Sequence, residues 1–347
     1  MNRFKALALM SLLGVVVGLY FTVNFFNIFL WDNTLFANSN QIIYIDSDDN
    51  FDSLMADLGP YLKSKDNFIT AAYKKGYSSR IKSGKYLLSQ GMGNNEMINS
   101  LRSNAQIVKV TFNNQERLEN FAGRIAKQIE ADSLNLLKAF KEPSFWKDKA
   151  FQEETYLAIF LPNTYNFYWD VSPEIFREKM WINYQSFWNE ERRQKAKKIG
   201  LSAEEAITLA SIVQKETNKK EEYVRVAGVY LNRLKKRMKL QADPTVIFAL
   251  KKKSNNFNLV IKRVLLKDLN VKSPYNTYTN YGLPPGPITM PDLNVIDAVL
   301  NAEKHNYLYF VVNPEKPGYH RFAKSLGEHN SNRKKYTQWL NRKRVYR

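Results

Sequence analysis

The sequence contains no cysteine, which removes disulfides, thiolate zinc sites, iron–sulfur clusters and thiol nucleophiles together. Histidine is nearly as scarce. His305, His320 and His329 are the only ones, too few for a histidine-rich metal centre. Glycine and proline, 14 and 12 among 347 residues, follow no period, which excludes collagen-like and proline-rich linker chains. No internal repeat of solenoid length is present. Acidic residues are the short side of the charge balance, 33 Asp and Glu against 52 Lys and Arg, for a net charge of +19. That surplus points to a polyanionic partner (nucleic acid, anionic lipid headgroups or an acidic polymer) or to a basic face that is merely solvated. What is abundant is hydrophobic and aromatic surface, at 44% and 14% of residues, far above a disordered chain. The length suits two ordinary domains.

From Ala6 to Trp31 no residue is charged and most are strongly apolar. A bilayer core requires about 20 such residues, whereas a secretory signal carries an apolar stretch of only about 7–15 before a small-residue cleavage site. Leu35-Phe36-Ala37 is a poor version of that site, so the segment reads as a retained anchor. Arg3 and Lys5 precede it, and the next cation is Lys63; Asp32, Asp46, Asp48, Asp49, Asp52 and Asp57 fill the interval. The positive-inside rule then places the N-terminus in the cytoplasm and everything after residue 31 outside, in a single-pass protein. Nucleic acid is thereby disfavoured as the partner.

Residues 32–40 (DNTLFANSN) read as a short polar linker. QIIYI (41–45) alternates as a strand, and 53–62 has helical spacing broken by Gly59-Pro60. Residues 83–104 give a strand, a glycine turn and a helix through Met97, Ile98 and Leu101, and 106–112 is another strand. These form a small α+β module. Helical patterns dominate from 117 onward, over 117–129, 173–188, 202–217 and 221–238. After Pro274 come loops rich in Pro, Gly, Asn and Tyr, then a helix over 292–303 and the strand YLYFVV (307–312). Such loops often carry a site.

Ser202-Ala203-Glu204-Glu205 is a capping box opening a helix whose apolar side holds Ala206, Leu209, Ala210, Ile212 and Val213. Glu216, seven residues after Leu209 and three after Val213, projects from that buried side. A partly desolvated carboxyl has a raised pKa and stays protonated near neutrality, as a general acid must. Two loops could complete a site. Asp243-Pro244 suits either a helix N-cap or a ligand contact. The run from Tyr275-Asn276-Thr277-Tyr278 to Pro287 offers amides, hydroxyls and rings that suit a sugar, or a rigid structural loop.

LASIVQKET (209–217), VAGVYLNRLKKRMKLQADPTVIFAL (226–250), YNTYTNYGLPPGPI (275–288) and YLYFVV…HRFAKSLGEHN (307–330), with LPNTYNFYW (161–169) and SGKYLLSQGMGNNEMINSL (83–101) upstream, resemble the endolytic murein transglycosylases, the MltG or YceG-like family. The resemblance covers essentially everything after the apolar segment. It implies an α+β chain: cytoplasmic tail 1–5, transmembrane anchor 6–30, linker 31–40, LysM-like module 41–105, and a mainly helical catalytic domain 106–347 with some strands and long loops. It also implies cleavage of nascent peptidoglycan between N-acetylmuramic acid and N-acetylglucosamine, with no metal and no cofactor. The implied partners are glycan strands, the inner (plasma) membrane, and peptidoglycan synthases or division proteins. The family's catalytic Glu lies in a motif usually written E-K-E; here it reads Gln214-Lys215-Glu216, so the role falls on Glu216. Gln241, Asp243, Asn276, Tyr278 and His320 are implied to line the groove, and Gly318-Tyr319 replaces the Gly-Gly common before that His. The module at 41–105 is implied to bind glycan, although a short βα module serves equally as a spacer. The basic tail 341–347 reads as a headgroup contact or a solvated end.

The implied chemistry fits a single carboxyl. Ordinary glycosidases use two, set by whether a water must fit beside the sugar. In a lytic transglycosylase the muramic acid's own C6 hydroxyl closes on C1, exploiting proximity. Two other readings stay open: a wall-binding membrane scaffold with a degenerate site, and a hydrolytic muramidase using Glu216 with Asp243.

Overall fold

The computed structural model of the chain describes residues 3–342, so the basic end of the tail lies outside the described residues. The first helix, α1 (Arg3–Phe25), has no polar face, and a π-helical turn (Phe26–Leu30) continues it. Leu7–Leu30 are 24 residues long and apolar enough to cross a membrane. At ~1.5 Å per residue they extend about 36 Å, more than a hydrocarbon core.

The remainder divides into two compact units. The smaller takes in residues up to Val110 together with 126–131 and 165–172, so it recruits two segments from beyond 105. After the π turn come β1 (Asn40–Ile45), α2 (Phe51–Leu58), α3 (Lys65–Lys74), β2 (Gly84–Ser89), α4 (Asn94–Ser103) and β3 (Val108–Phe112). The strands β1 and β2 pair antiparallel with Ile43 opposite Tyr86 and Ile45 opposite Gly84. Alternation turns Ile43, Ile45, Tyr86 and Leu88 inward onto Leu54, Leu58, Phe68, Met97, Ile98 and Leu101. Gly59-Pro60 ends α2 as expected and forms a 3-10 turn there. The helix α3 was not legible as an apolar stripe; Ser64 caps it by accepting from the Asn67 amide.

Residues 32–36 are not a free linker. Asn33 and Thr34 are buried; the Asn33 amide donates to the Ser64 carbonyl and to Asn94 Oδ1, and its own Oδ1 accepts from the Ser64 amide. Phe36 and Ile28 join the unit's hydrophobic cluster, and Asn94 donates to the Ile28 carbonyl at 2.8 Å. Gly93 lies so close to the π turn that a Cβ there would clash with the Leu30 carbonyl oxygen. The π turn that ends the apolar helix is therefore seated in the small unit by packing and by buried amides. Polar composition reads as a short linker because short Asn and Thr side chains serve turns and buried networks alike.

The larger unit continues with α5 (Leu118–Ile125), α6 (Ser133–Phe140) and α7 (Pro143–Trp146). The strand β4 (Asn163–Phe167) follows in the chain, its residues from 165 on belonging to the smaller unit, and then come α8 (Pro173–Phe187) and α9 (Glu190–Lys198) of the larger one. It then runs through α10 (Ala203–Glu216), α11 (Tyr223–Lys235), α12 (Asp243–Lys253), α13 (Leu293–Leu300), β5 (Tyr309–Val312), β6 (His320–Ala323) and α14 (Leu326–Arg342). The strand β5 pairs with β6 as an antiparallel hairpin with Val312 opposite His320. One core is aromatic: Phe121, Phe140, Phe160 and Phe176 sit with ring centres 4.5–6.2 Å apart. The other is aliphatic, where α10 packs against α11, α12 and α13. The continuous helix expected over 221–238 is instead a 3-10 turn (Lys220–Glu222) followed by α11. The described fold is mixed and mainly helical.

Candidate active site

The capping box forms as its spacing requires: Ser202 Oγ accepts from the Glu205 amide and Glu205 accepts from the Ser202 amide. It fixes the start of α10, and the 3.6 period then carries one face inward through Ala206, Leu209, Ala210 and Val213. Glu216 is the last residue of that helix. Its carboxyl meets Tyr230, a buried residue of α11 whose hydroxyl donates to Glu216 Oε1 at 2.7 Å. Burial pushes the Glu216 carboxyl from its ordinary 4.5 up to about 7; the Tyr230 hydrogen bond pulls against this, the Asp243 charge adds to it and the Arg233 charge opposes it. Glu216 keeps a limited opening to solvent. A carboxylic acid with reach to the outside is the result.

Asp243 opens α12, but its side chain caps nothing; Ala242 holds the N-cap position and Pro244 the first turn. The Asp243 carboxylate instead accepts from the Tyr278 hydroxyl at 2.6 Å. Of the two readings its sequence allowed, the cap fails because the helix begins at Asp243 itself. The loop bearing Tyr278 is fastened to the start of α12. Thr277 Oγ1 accepts from the Ala242 amide at 3.0 Å, the Thr245 and Thr277 hydroxyls meet at 2.8 Å, and the Gln241 amide donates to the Thr277 carbonyl. Gln241 is exposed with φ +48, a left-handed backbone that a non-glycine residue adopts only when its surroundings impose it. Asn276 departs from the expected groove lining. It is fully buried, its amide donates to the carbonyls of Leu269 and Val271, and its Oδ1 accepts from the Tyr278 amide. Asn276 shapes the loop from within.

His320 stands at the start of β6. Its backbone amide donates to Glu222 Oε1 and its Nδ1 lies 2.8 Å from Glu222 Oε2. Glu222 is 4% exposed and also accepts from the Thr217 hydroxyl, so a single buried carboxylate ties the hairpin to the residue after Glu216. A carboxylate only accepts, so His320 Nδ1 carries the proton. The structure thus gathers Glu216, Asp243 and Tyr278 into one electrostatic neighbourhood, links His320 to it through Thr217, and leaves Gln241 on the rim. A separate cleft of 310 Å³ lined by Glu116, Arg117, Glu119, Phe248 and Tyr275 contains none of these residues.

Residues 43–335 match the YceG-like family model. The chain belongs to the YceG-like family. It is 31% identical over 301 residues to a protein of Bacillus subtilis (strain 168) named endolytic murein transglycosylase, covering 81% of this chain and 80% of that one. A namesake from Streptococcus pneumoniae is 37% identical over 132 residues, 38% of this chain and 23% of its own length. A crystal structure of a putative YceG-like protein from Listeria monocytogenes superposes with a TM-score of 0.56 at 28% identity, covering 84% of this chain and 98% of that one.

In this YceG-like chain Gln214 makes a two-way contact that a Glu could not. Its Oε1 accepts from the Asp292 amide at 2.6 Å while its Nε2 donates to Asp292 Oδ2 at 3.1 Å. A carboxylate there would set two like charges face to face. Ser211 supports the same Pro-rich loop by accepting from the Ile288 amide. Three residues were not singled out from sequence: Tyr230, Glu222 and Arg233, whose buried guanidinium donates to the carbonyls of Leu308 and Leu240. Tyr230 and Arg233 are three apart on one helix face, the available signal. Tyr230→Phe removes a hydrogen bond that favours the ionised Glu216. With Glu216 taken as the acid of a cleavage reaction, the high-pH limb of the rate profile is expected to move upward from about 7 while stability falls by about 1 kcal/mol. A pH series of kcat/KM checks the sign; a downward move would show that Tyr230 does not stabilise the carboxylate.

Proposed function

We propose that the chain is an endolytic murein transglycosylase that cleaves nascent glycan strands between N-acetylmuramic acid and N-acetylglucosamine, with Glu216 as acid and then base. What supports this reading is a carboxyl at the end of α10, almost enclosed and hydrogen-bonded by Tyr230, whose pKa burial raises to about 7 and which keeps some exposure. Glu216 gives its proton to the glycosidic oxygen as the C1–O bond breaks. The carboxylate left behind takes the proton of the C6 hydroxyl, whose oxygen bonds to C1 as a 1,6-anhydro ring. Glu216 is thus reprotonated and no water is consumed. Tyr230 orients the carboxyl throughout. Gln241, Tyr278, Asp243 and His320 contact the sugars, Asp243 keeping its hydrogen bond to Tyr278. The Leu7–Leu30 helix anchors the chain with its N-terminus cytoplasmic, the small unit contacts glycan as a LysM-like module, and synthases or division proteins dock at the anchor.

Asp243 favours one other reading, a hydrolytic muramidase, because its charge acts on Glu216. The full chain in detergent, incubated with uncrosslinked polymeric peptidoglycan, decides by product mass. Ends one water lighter than hydrolysis leaves support the transglycosylase. Reducing ends with water added support the hydrolase, and no cleavage by folded protein supports a scaffold.

A further inference from the structure

The segment joining α12 to the site loop displays an unusual surface. In Leu259-Val260-Ile261-Lys262-Arg263-Val264-Leu265-Leu266-Lys267, Val260 is 77% and Leu266 86% exposed, and Leu259 and Leu265 are also exposed. Lys262, Arg263 and Lys267 stand among them in solvent, and Lys253 lies just upstream. Between Pro244 and Pro291 the sole acid is Asp268, whose carboxylate is turned to the chain itself by accepting from the Leu265 amide at 2.8 Å.

The display is built. Phe257 roots one end against Phe248, with the Arg117 guanidinium 4.8 Å from its ring centre. The Asn256 amide donates back to the Lys251 carbonyl. At the other end the Val271 amide donates to Asp268 and the Asn276 amide holds the Leu269 carbonyl. Fixed at both ends, the segment presents its largest apolar side chains to water. The cores of protein–protein interfaces are depleted of lysine, whereas apolar tips interleaved with Lys and Arg match the headgroup–acyl boundary of an anionic bilayer.

We propose that residues 259–267 dip into the surface of an anionic membrane and hold the larger unit against it. Val260 and Leu266 enter the acyl boundary while Lys262, Arg263 and Lys267 meet headgroup phosphates. The proposal rests on the reading that Leu7–Leu30 span the same membrane, which keeps this unit within a tether's reach of lipid and makes the second contact effectively intramolecular. Because Asn276 connects the segment to Tyr278, membrane contact also sets the height of the Asp243–Tyr278 pair above the lipid.

The absence of cysteine makes the test direct. Single variants Val260→Cys, Leu266→Cys, Leu134→Cys and Val16→Cys of the full chain, each labelled with an environment-sensitive fluorophore, are placed in nanodiscs of phosphatidylcholine with phosphatidylglycerol. Spin-labelled lipids then report depth. Leu134, 77% exposed and outside the basic run, is the aqueous reference; Val16 reports the span. Labels at 260 and 266 are expected to lose most of their fluorescence to shallow quenchers while the label at 134 does not. The triple change Lys262→Glu, Arg263→Glu, Lys267→Glu is expected to restore it, as is omission of phosphatidylglycerol. If 266 behaves like 134 while 16 is quenched, the span stands and the surface contact is overturned. If 16 is not quenched, the span fails, and quenching at 260 and 266 alone supports or overturns the contact. A blue-shifted but unquenched label at 266 overturns it in favour of a protein contact.

Discussion

Glu216→Gln is expected to lower cleavage by about 10⁴-fold while making the fold more stable above neutral pH. The loss is what the proposed mechanism requires, in which one carboxyl supplies both proton transfers and an amide supplies neither. The gain follows from linkage. Unfolded, the carboxyl ionises near 4.5; folded, near 7. Below 4.5 both states hold the proton and the group is neutral toward stability. Between the two values the unfolded state releases a proton that the folded state keeps, so stability falls as pH rises, and above about 7 the full penalty is in place. At about 1.4 kcal/mol per unit the penalty is at most about 3.5 kcal/mol. Glutamine escapes it and still accepts from Tyr230 through its carbonyl oxygen. Denaturant unfolding of both proteins at pH 5 and pH 8 measures the difference. The variant's advantage is expected to be the larger at the higher pH, and an advantage that shrinks instead would show that Glu216 is not held protonated. With Glu216 as the acid of the proposed mechanism, the same titration predicts that wild-type cleavage declines as pH rises through about 7.

Glu222→Ala is expected to cost about 3–5 kcal/mol, a large share of ordinary domain stability, and to reduce cleavage by at least about tenfold. The buried carboxylate accepts from the His320 amide, His320 Nδ1 and the Thr217 hydroxyl at 2.8, 2.8 and 3.1 Å. Alanine leaves these donors facing a space with no acceptor, and each buried unsatisfied group is penalised. Thr217 directly follows Glu216, so the loss loosens the exit of the helix that carries the proposed acid. Glu303 is the comparison. It pairs with Arg225 at 2.9 Å in the open, where such pairs are worth under about 1 kcal/mol. Chemical denaturation of Glu222→Ala and Glu303→Ala at unchanged slope separates them, and equal losses would mean that the carboxylate holds nothing together. His320→Ala combined with Glu222→Ala is expected to be much less than additive, since each removes the same contact.

Glu216 could be read from its own helix, because the capping box sets the phase and the 3.6 period carries it to the inner face. Its partner Tyr230 could not, since fourteen residues of chain separate them and only the packing of α11 on α10 joins them. Asn276 shows why residue type misleads in loops. The amide chemistry that suits a sugar hydroxyl equally suits the carbonyls of Leu269 and Val271, and burial alone decides which it meets. Residues 32–36 failed in the same way, for Asn33 is polar because it satisfies buried backbone and not because it is solvated.

By itself the sequence determined the properties that are local or periodic: the apolar helix long enough for a membrane, the mainly helical character after residue 117, the capped helix ending in Glu216, and the motifs that resemble the YceG-like family. The tertiary structure decided everything that depends on which groups lose water together. It set the raised pKa of Glu216, turned Asp243 toward Tyr278, buried Asn276, matched Gln214 to Asp292 and made Glu222 the tie between His320 and Thr217. Periodicity acts through one turn of chain at a time, whereas desolvation and hydrogen-bond partnership are fixed only when distant segments close over the same carboxylate.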